Sequence, residues 1–207
     1  GTVGNIQTID AKTKKVEVTF DKEGSYSLKV SAKDKAGNIS SSNEYKNIVI
    51  DKTAPIVNVE GAESNSYNNM PKVVMITVDD ENFDPATTEV STAGETTDWK
   101  QSGKTWYKTV SFTKDGDYNL SVKAKDKAGN ESTPEVLSNV VIDTTAPVIS
   151  FTGVEKKLYG ANVVGTFTVK DRNFKPELAK ISTTGKVGKW TEENGVWRAP
   201  VTFTSEE

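Results

Sequence analysis

Hydrophobic and polar positions alternate along most of the chain, and apolar residues nowhere recur at helical spacing. In Gly116–Asp126, the residues Tyr118, Leu120, Val122 and Ala124 share one face, and Asn119, Ser121, Lys123 and Lys125 share the other. Tyr26, Leu28, Val30 and Ala32 stand against Ser27, Lys29, Ser31 and Lys33 in the same way. This is the pattern of a half-buried antiparallel strand, written twice. Val74, Ile76 and Val78 make a second inward face, matched by Phe167 and Val169. Trp106, Val110 and Phe112 make a third, matched by Trp197, Val201 and Phe203. Val57 and Val59, then Ile149 and Phe151, open a unit, and Asn47-Ile-Val-Ile-Asp51 and Asn139-Val-Val-Ile-Asp143 each close one.

These faces belong to a long repeat. Asp34-Lys-Ala-Gly-Asn38 returns as Asp126-Lys-Ala-Gly-Asn130, and Asp51-Lys-Thr-Ala-Pro55 as Asp143-Thr-Thr-Ala-Pro147, both 92 residues on. Asp80-Glu-Asn-Phe83 returns as Asp171-Arg-Asn-Phe174, and Trp99 and Trp106 as Trp190 and Trp197, 91 residues on. Such a period is a whole small domain rather than a solenoid turn. Its phase predicts one complete unit over residues 52–143, the C-terminal part of a unit over 1–51 and the N-terminal part of another over 144–207. On this reading the chain is a window from a longer array. Its part-units should leave core and strand edges uncovered. Residues 1–15 and the last few residues are expected to be disordered or completed by a neighbouring chain.

The complete unit reads as about seven short strands, over 56–60, 73–79, 88–93, 97–101, 105–113, 117–125 and 138–143, with Gly, Asn, Asp and Pro in the turns. Seven alternating strands in this length predict an all-β fold: tandem β-sandwiches of immunoglobulin type with antiparallel strands. Tyr26 and Tyr118 resemble the tyrosine corner that precedes a core position of strand F. Leu28 and Leu120 sit two residues later, where antibody domains carry a cysteine, so plain packing should replace the disulfide.

Composition narrows the function. Hydrophobic residues are 34% and charged residues 27% of the 207, enough for a small core in each unit. A net charge of −3 without a basic stripe argues against a nucleic-acid partner. No apolar run is long enough for a membrane span, and no signal peptide stands in this window. The absence of Cys excludes disulfides and thiol catalysis, and the absence of His removes the commonest general base and zinc ligand. Carboxylates are plentiful, but no pair has a spacing that argues for a catalytic cleft. The chain is therefore expected not to be an enzyme.

Asp115-Gly-Asp-Tyr-Asn-Leu-Ser-Val122, the two Asp-Lys-Ala-Gly-Asn segments, the two Asp-x-Thr-Ala-Pro segments and the two Asp-x-Asn-Phe segments together resemble bacterial Ig-like repeats of extracellular proteins, especially Gram-positive ones. The resemblance covers the whole chain, although the segment near Gly4–Lys15 lacks the Trp pair. It implies an extracellular, cell-surface or secreted location. It does not decide among adhesins, stalks and accessory regions of large enzymes.

The resemblance also sharpens the acidic residues. In an immunoglobulin-type sandwich, the loops after strands B and F lie where the chain enters. Asp51 sits in the entering linker, Asp79, Asp80 and Glu81 follow strand B, and Asp126 and Asn130 follow strand F. These groups could converge at a seam between repeats, and Asp143 and Asp171 would serve a second seam. Calcium takes six to eight oxygens in a flexible cage. Large bacterial Ig-like adhesins hold it at such junctions, so the resemblance implies the option of Ca²⁺ as a cofactor here. Each of these aspartates could instead cap a turn, bonding the backbone two residues on.

Trp106 and Trp197 share parity with inward positions and are expected at the core rim. Trp99 and Trp190 lie among polar residues and are expected exposed, where they could stack on a sugar. No inward Lys on the first strand, 56–60, is available for an isopeptide crosslink. Pro55 and Pro147 restrict linkers in which only Lys-Thr-Ala or Thr-Thr-Ala precedes the proline, so the array should be semi-rigid and extended. Each unit should add about 35–45 Å. The expected function is a non-catalytic spacer or display stalk of an adhesin-like surface protein, with neighbouring repeats as partners. The alternatives are a module that binds host or cell-wall glycan or protein, and an accessory region of a carbohydrate-active enzyme.

Overall fold

The computed structural model describes residues 1–157 and 159–204. Its elements are strands, apart from a single turn of 3₁₀ helix at Pro176–Leu178 among the described residues. By contact density the chain divides into two compact units. One holds residues 1–62, 73–111 and 119–138, and the other 63–72, 112–118 and 139–207. The strands Thr105–Phe112, Gly116–Lys123 and Glu135–Ile142 contribute residues to both.

The middle repeat builds two sheets. One runs Glu89–Thr92, Gly116–Lys123, Glu135–Ile142, Ser66–Asn68; the other runs Glu95–Thr96, Thr105–Phe112, Lys72–Asp79, Ile56–Glu60. Lettered in chain order, Ile56–Glu60, Lys72–Asp79, Glu95–Thr96 and Thr105–Phe112 are A, B, D and E, lying side by side as A, B, E, D, and the other sheet carries C, F and G. That is the strand order of a constant-type immunoglobulin sandwich. The alternation seen in sequence is the reason the faces separate. Along Lys72–Asp79, Val74, Ile76 and Val78 are fully buried, whereas Val73 and Met75 stay exposed. Leu120, Val122 and Ala124 are buried on Gly116–Lys123 and just beyond it. Each such Val, Ile or Leu contributes about 1.5–3 kcal/mol by leaving water.

The first and middle repeats share two local devices. The Tyr26 hydroxyl donates to the Lys22 carbonyl at 2.7 Å, and the Tyr118 hydroxyl to the Lys114 carbonyl at 2.8 Å. These are tyrosine corners, and the Tyr118 ring also stacks on Phe112 at 4.5 Å. Asn47 (φ 58°) and Asn139 (φ 55°) hold equivalent left-handed positions inside strands. Asn47 lies where the pairing of Gly24–Val30 with Asn43–Ile50 shifts register, so it forms a β-bulge. Asn tolerates that conformation better than other side chains.

Three details depart from the sequence pattern. Ser66–Asn68, too short to show a period, pairs parallel with Glu135–Ile142. The strand expected over 97–101 is two pieces, Glu95–Thr96 and Lys100–Ser102, each paired with Thr105–Phe112. Residues 1–15, expected without structure of their own, form short ladders: Thr2–Val3 with Val18–Thr19, and Gln7–Thr8 with Lys14–Lys15. The last residues of that expectation, 205–207, lie outside the described residues.

The flanking repeats are thinner. No residue from 1 to 50 is buried, and Val30 and Ala32, expected inward, are exposed because Gly24–Val30 pairs only with Asn43–Ile50. The last repeat forms one sheet, Val148–Thr152, Val163–Lys170, Val196–Phe203, Lys186–Val187, with Thr191–Glu193 also on Val196–Phe203. Val169, Ala199 and Val201 are buried in it, but Ile149 is 67% exposed.

Candidate functional site

Strand Lys72–Asp79 delivers its terminal carboxylates to opposite sides, because successive side chains alternate. Asp79 is exposed and accepts a hydrogen bond from the Thr105 hydroxyl. Asp80 is turned inward and only 9% exposed. Its Oδ1 accepts the Asn82 backbone N–H at 2.7 Å, closing a tight turn. That turn frees the Asn82 amide to reach the linker, where it donates to Asp51 Oδ2 at 2.5 Å. Asp51 in turn caps Thr53 through Oδ1 at 3.1 Å.

The loop after Gly116–Lys123 closes on the same point. Asp126, 2% exposed, accepts the Asn130 backbone N–H at 2.8 Å and its side-chain amide at 2.7 Å. The Asn130 amide also donates to the Asp51 carbonyl at 3.1 Å. Lys127 N–H donates to the Asn82 carbonyl at 2.9 Å, tying the two loops together. The turn-capping reading of Asp51, Asp80 and Asp126 thus describes bonds they make. Capping nevertheless leaves three carboxylates crowded: one oxygen from each of Asp51, Asp80 and Asp126 lies within 4.8 Å of the others. Among the described residues no Lys or Arg pairs with any of them. Burial, then the neighbouring Asp51, Asp126 and Glu81 charges, push Asp80 above the usual carboxylate range, against the opposing hydrogen bond from Asn82.

The donor set is all oxygen, which suits a hard cation rather than zinc. Oxygens on opposite sides of a calcium ion, each at about 2.4 Å, are about 4.8 Å apart. The span of the cluster therefore fits calcium. Asn130 belongs to this cluster by its bonds. Glu81 is exposed and Asp79 is engaged by Thr105, so neither joins the three converging carboxylates.

The second junction repeats the first with its own residues. Asp171 accepts the Asn173 N–H at 2.8 Å, the Asn173 amide donates to Asp143 Oδ2 at 2.6 Å, and Asp143 caps Thr145 at 3.2 Å. Asn82 and Asn173 were not among the expected site residues, yet they carry the link from linker to repeat. Their signal was the Asp-x-Asn-Phe motif itself.

The other flank of each linker is tied as well. The Thr53 hydroxyl donates to Glu23 at 2.7 Å, and Lys52 to the Asp21 carbonyl at 2.7 Å. In the second linker, Thr144 N–H and both Thr144 and Thr145 hydroxyls donate to the Asp115 carboxylate. These bonds hold the Asp115 carboxyl below its usual range, the Thr144 N–H first among them. Asp117 pairs with Arg172. Glu23 and Asp115 occupy equivalent places, as do Thr53 and Thr145.

Trp99 and Trp190, expected exposed, are half-buried. Trp99 meets Phe83 edge-on at 5.2 Å, with Trp106 at 5.7 Å on the same ring. Trp190 and Trp197 flank Phe174 at 5.2 and 5.9 Å. The Lys108 ammonium lies 5.2 Å from the Trp99 ring centre, over the face a sugar would use.

Residues 61–144 match the family model described as a bacterial Ig-like domain. No curated protein matches the chain.

Proposed function

Residues 61–144 belong to the bacterial Ig-like domain family, and from that premise we propose that the chain is a non-catalytic spacer of a bacterial surface or secreted protein, its linkers braced on both sides and its seams loaded with calcium. Domains of this family are structural or accessory modules of extracellular proteins. The observation that carries the reading is the pair of matching junctions. Each linker Asp is gripped by the Asn of the following Asp-x-Asn-Phe turn, and each linker Thr by an acidic residue of the preceding corner. A flexible tether would have no use for paired clasps of this kind.

Asp51, Asp80 and Asp126 would hold the ion at the first seam, with Asp143 and Asp171 as its counterparts at the second. Bound calcium would supply positive charge and extra coordination between linker and loops. The chain's own residues do the rest: the Asn amides orient the linker, and Pro55, which is buried, restrains it.

The absence of native cysteine makes the test direct, because two introduced cysteines can carry unique spin labels. Exposed Lys29 and Ser91 provide sites on the first and middle repeats. A narrow distance distribution in calcium, broadening in EDTA and not restored by magnesium, is the expected result. A distribution equally broad in all three conditions would sink the spacer reading. A narrow distribution indifferent to calcium would keep the braced linker and remove the ion.

A further inference from the structure

The hairpin in the last sheet turns on Asn194-Gly195, the chain's sole Asn-Gly step. Glu193 stands opposite Val196, so the turn has two residues, and both have positive φ, 54° and 74°. That is a type I′ turn, whose twist matches the flanking strands. Both residues are exposed, and open space surrounds Gly195. The Gly195 N–H donates to Glu192 Oε1 at 2.5 Å. A backbone nitrogen without a hindering side chain, an amide carbon one residue before it and a carboxylate on its proton therefore meet at one exposed point. A base must lie within hydrogen-bond reach of the proton it takes, and this one does.

We propose that Asn194-Gly195 is a self-modification site at which Glu192 acts as general base in closing Asn194 to a cyclic imide. The Gly195 nitrogen bonds to Asn194 Cγ as its proton passes to Glu192. The Cγ–Nδ2 bond then breaks, the proton returns to the leaving nitrogen, and ammonia departs. Water adds across one of the two imide C–N bonds and opens the ring to aspartate or isoaspartate. No oxidation state changes, and water is the only co-reactant. Either product puts a new carboxylate beside Glu192 and Glu193. Isoaspartate also inserts one carbon into the main chain of a two-residue turn, which shifts the pairing of Thr191–Glu193 with the strand carrying Trp197. The middle repeat lacks the site: Gly103-Lys104 makes the corresponding turn, between Ser102 and Thr105.

The test incubates the full chain at neutral pH and follows residue 194 by peptide mass mapping and isoaspartyl methyltransferase labelling. Wild type is compared with Glu192→Gln and Glu193→Gln, and with a free peptide spanning residues 191–199. Label should accumulate at 194 in the wild-type chain and in E193Q, and about a hundredfold more slowly in E192Q, the low side of what a positioned base contributes. Absence of product at 194 while the free peptide converts would overturn the site. Conversion of E192Q as fast as wild type, or faster, would overturn the role of Glu192.

Discussion

Replacing Asp80 by Asn should stabilise the calcium-free protein and weaken its response to calcium. The Asn side chain keeps an oxygen to accept the Asn82 N–H but carries no charge. Asp80 lies within 4.8 Å of two other carboxylates. At an effective dielectric of about 20, a pair at that distance repels by about 3.5 kcal/mol before any offset. The capping hydrogen bonds offset much of this, so a net gain on the order of 1 kcal/mol is expected, or about 4–8 °C in a domain of this size. The pH dependence fixes the sign. Asp80 is raised above its ordinary value, 3.8. Between the ordinary and the raised value the folded state binds more protons than the unfolded one, so its contribution to stability falls as pH rises through that window. The advantage of Asp80→Asn should therefore be small at low pH and grow toward neutrality. Calcium at about 100 times its dissociation constant would add about 2.7 kcal/mol to wild type, and much less to the variant. Thermal unfolding in EDTA, magnesium and calcium across pH reads all of these. A variant less stable than wild type in EDTA at neutral pH would refute the crowding argument, and an undiminished calcium response would refute the assignment of Asp80 as a ligand.

The two aromatic clusters should differ in weight. Phe83→Ala removes a ring 1% exposed between two tryptophans and should cost about 3–5 kcal/mol, whereas Phe174→Ala, on a half-buried ring, should cost clearly less by chemical unfolding; equal losses would mean that the tryptophans rather than burial set the energy. Gly165→Val places a Cβ 2.3 Å from the Phe151 ring and should destabilise the last sheet by about 1–3 kcal/mol. Adding Phe151→Val should recover most of that loss in the same melts, and a double variant no better than the single would show that the clash is not with Phe151.

Much of the sandwich was legible because alternation is a property of single strands. The inward sets Val74, Ile76, Val78 and Leu120, Val122, Ala124 are written in the chain and are buried in the fold. What failed was short or depended on a partner. Ser66–Asn68 has three residues and becomes a strand only by pairing with Glu135–Ile142. Trp99 sits among polar neighbours, and parity along its own segment says nothing of its contact with Phe83, in the turn after Lys72–Asp79. Val30 has an inward pattern but no sheet to face among the described residues. At the junction, the motifs pointed to Asp51, Asp80 and Asp126, which the fold brings together, but the hydrogen-bonding partners Asn82, Thr53 and Glu23 come from three different loops. Only folding shows which of them meet.

The contrast between core and junction explains which residues the repeats share. In the middle repeat, Val59 and Val74 occupy positions that Phe151 and Gly165 take in the last. The Phe151 ring fills the space that a side chain at Gly165 would need, so volume is exchanged between the two positions. A core accepts such trades because burial is not directional and total volume is what must be kept. A clasp does not. Asp51 to Asn82 and Asp143 to Asn173 need one acceptor and one donor at fixed reach, and Asp80 and Asp171 need the same short side chain to close the turn that presents the amide. Gly61 and Gly153 obey the same logic at the corner after the first strand, with φ of 109° and 90° and a neighbouring carbonyl where a Cβ would stand. Recurring identity thus concentrates where geometry is directional, and in this chain most of those places surround the linkers. The most closely repeated chemistry of this chain is therefore the hydrogen bonding that ties each linker Asp to the Asn of the turn that follows it.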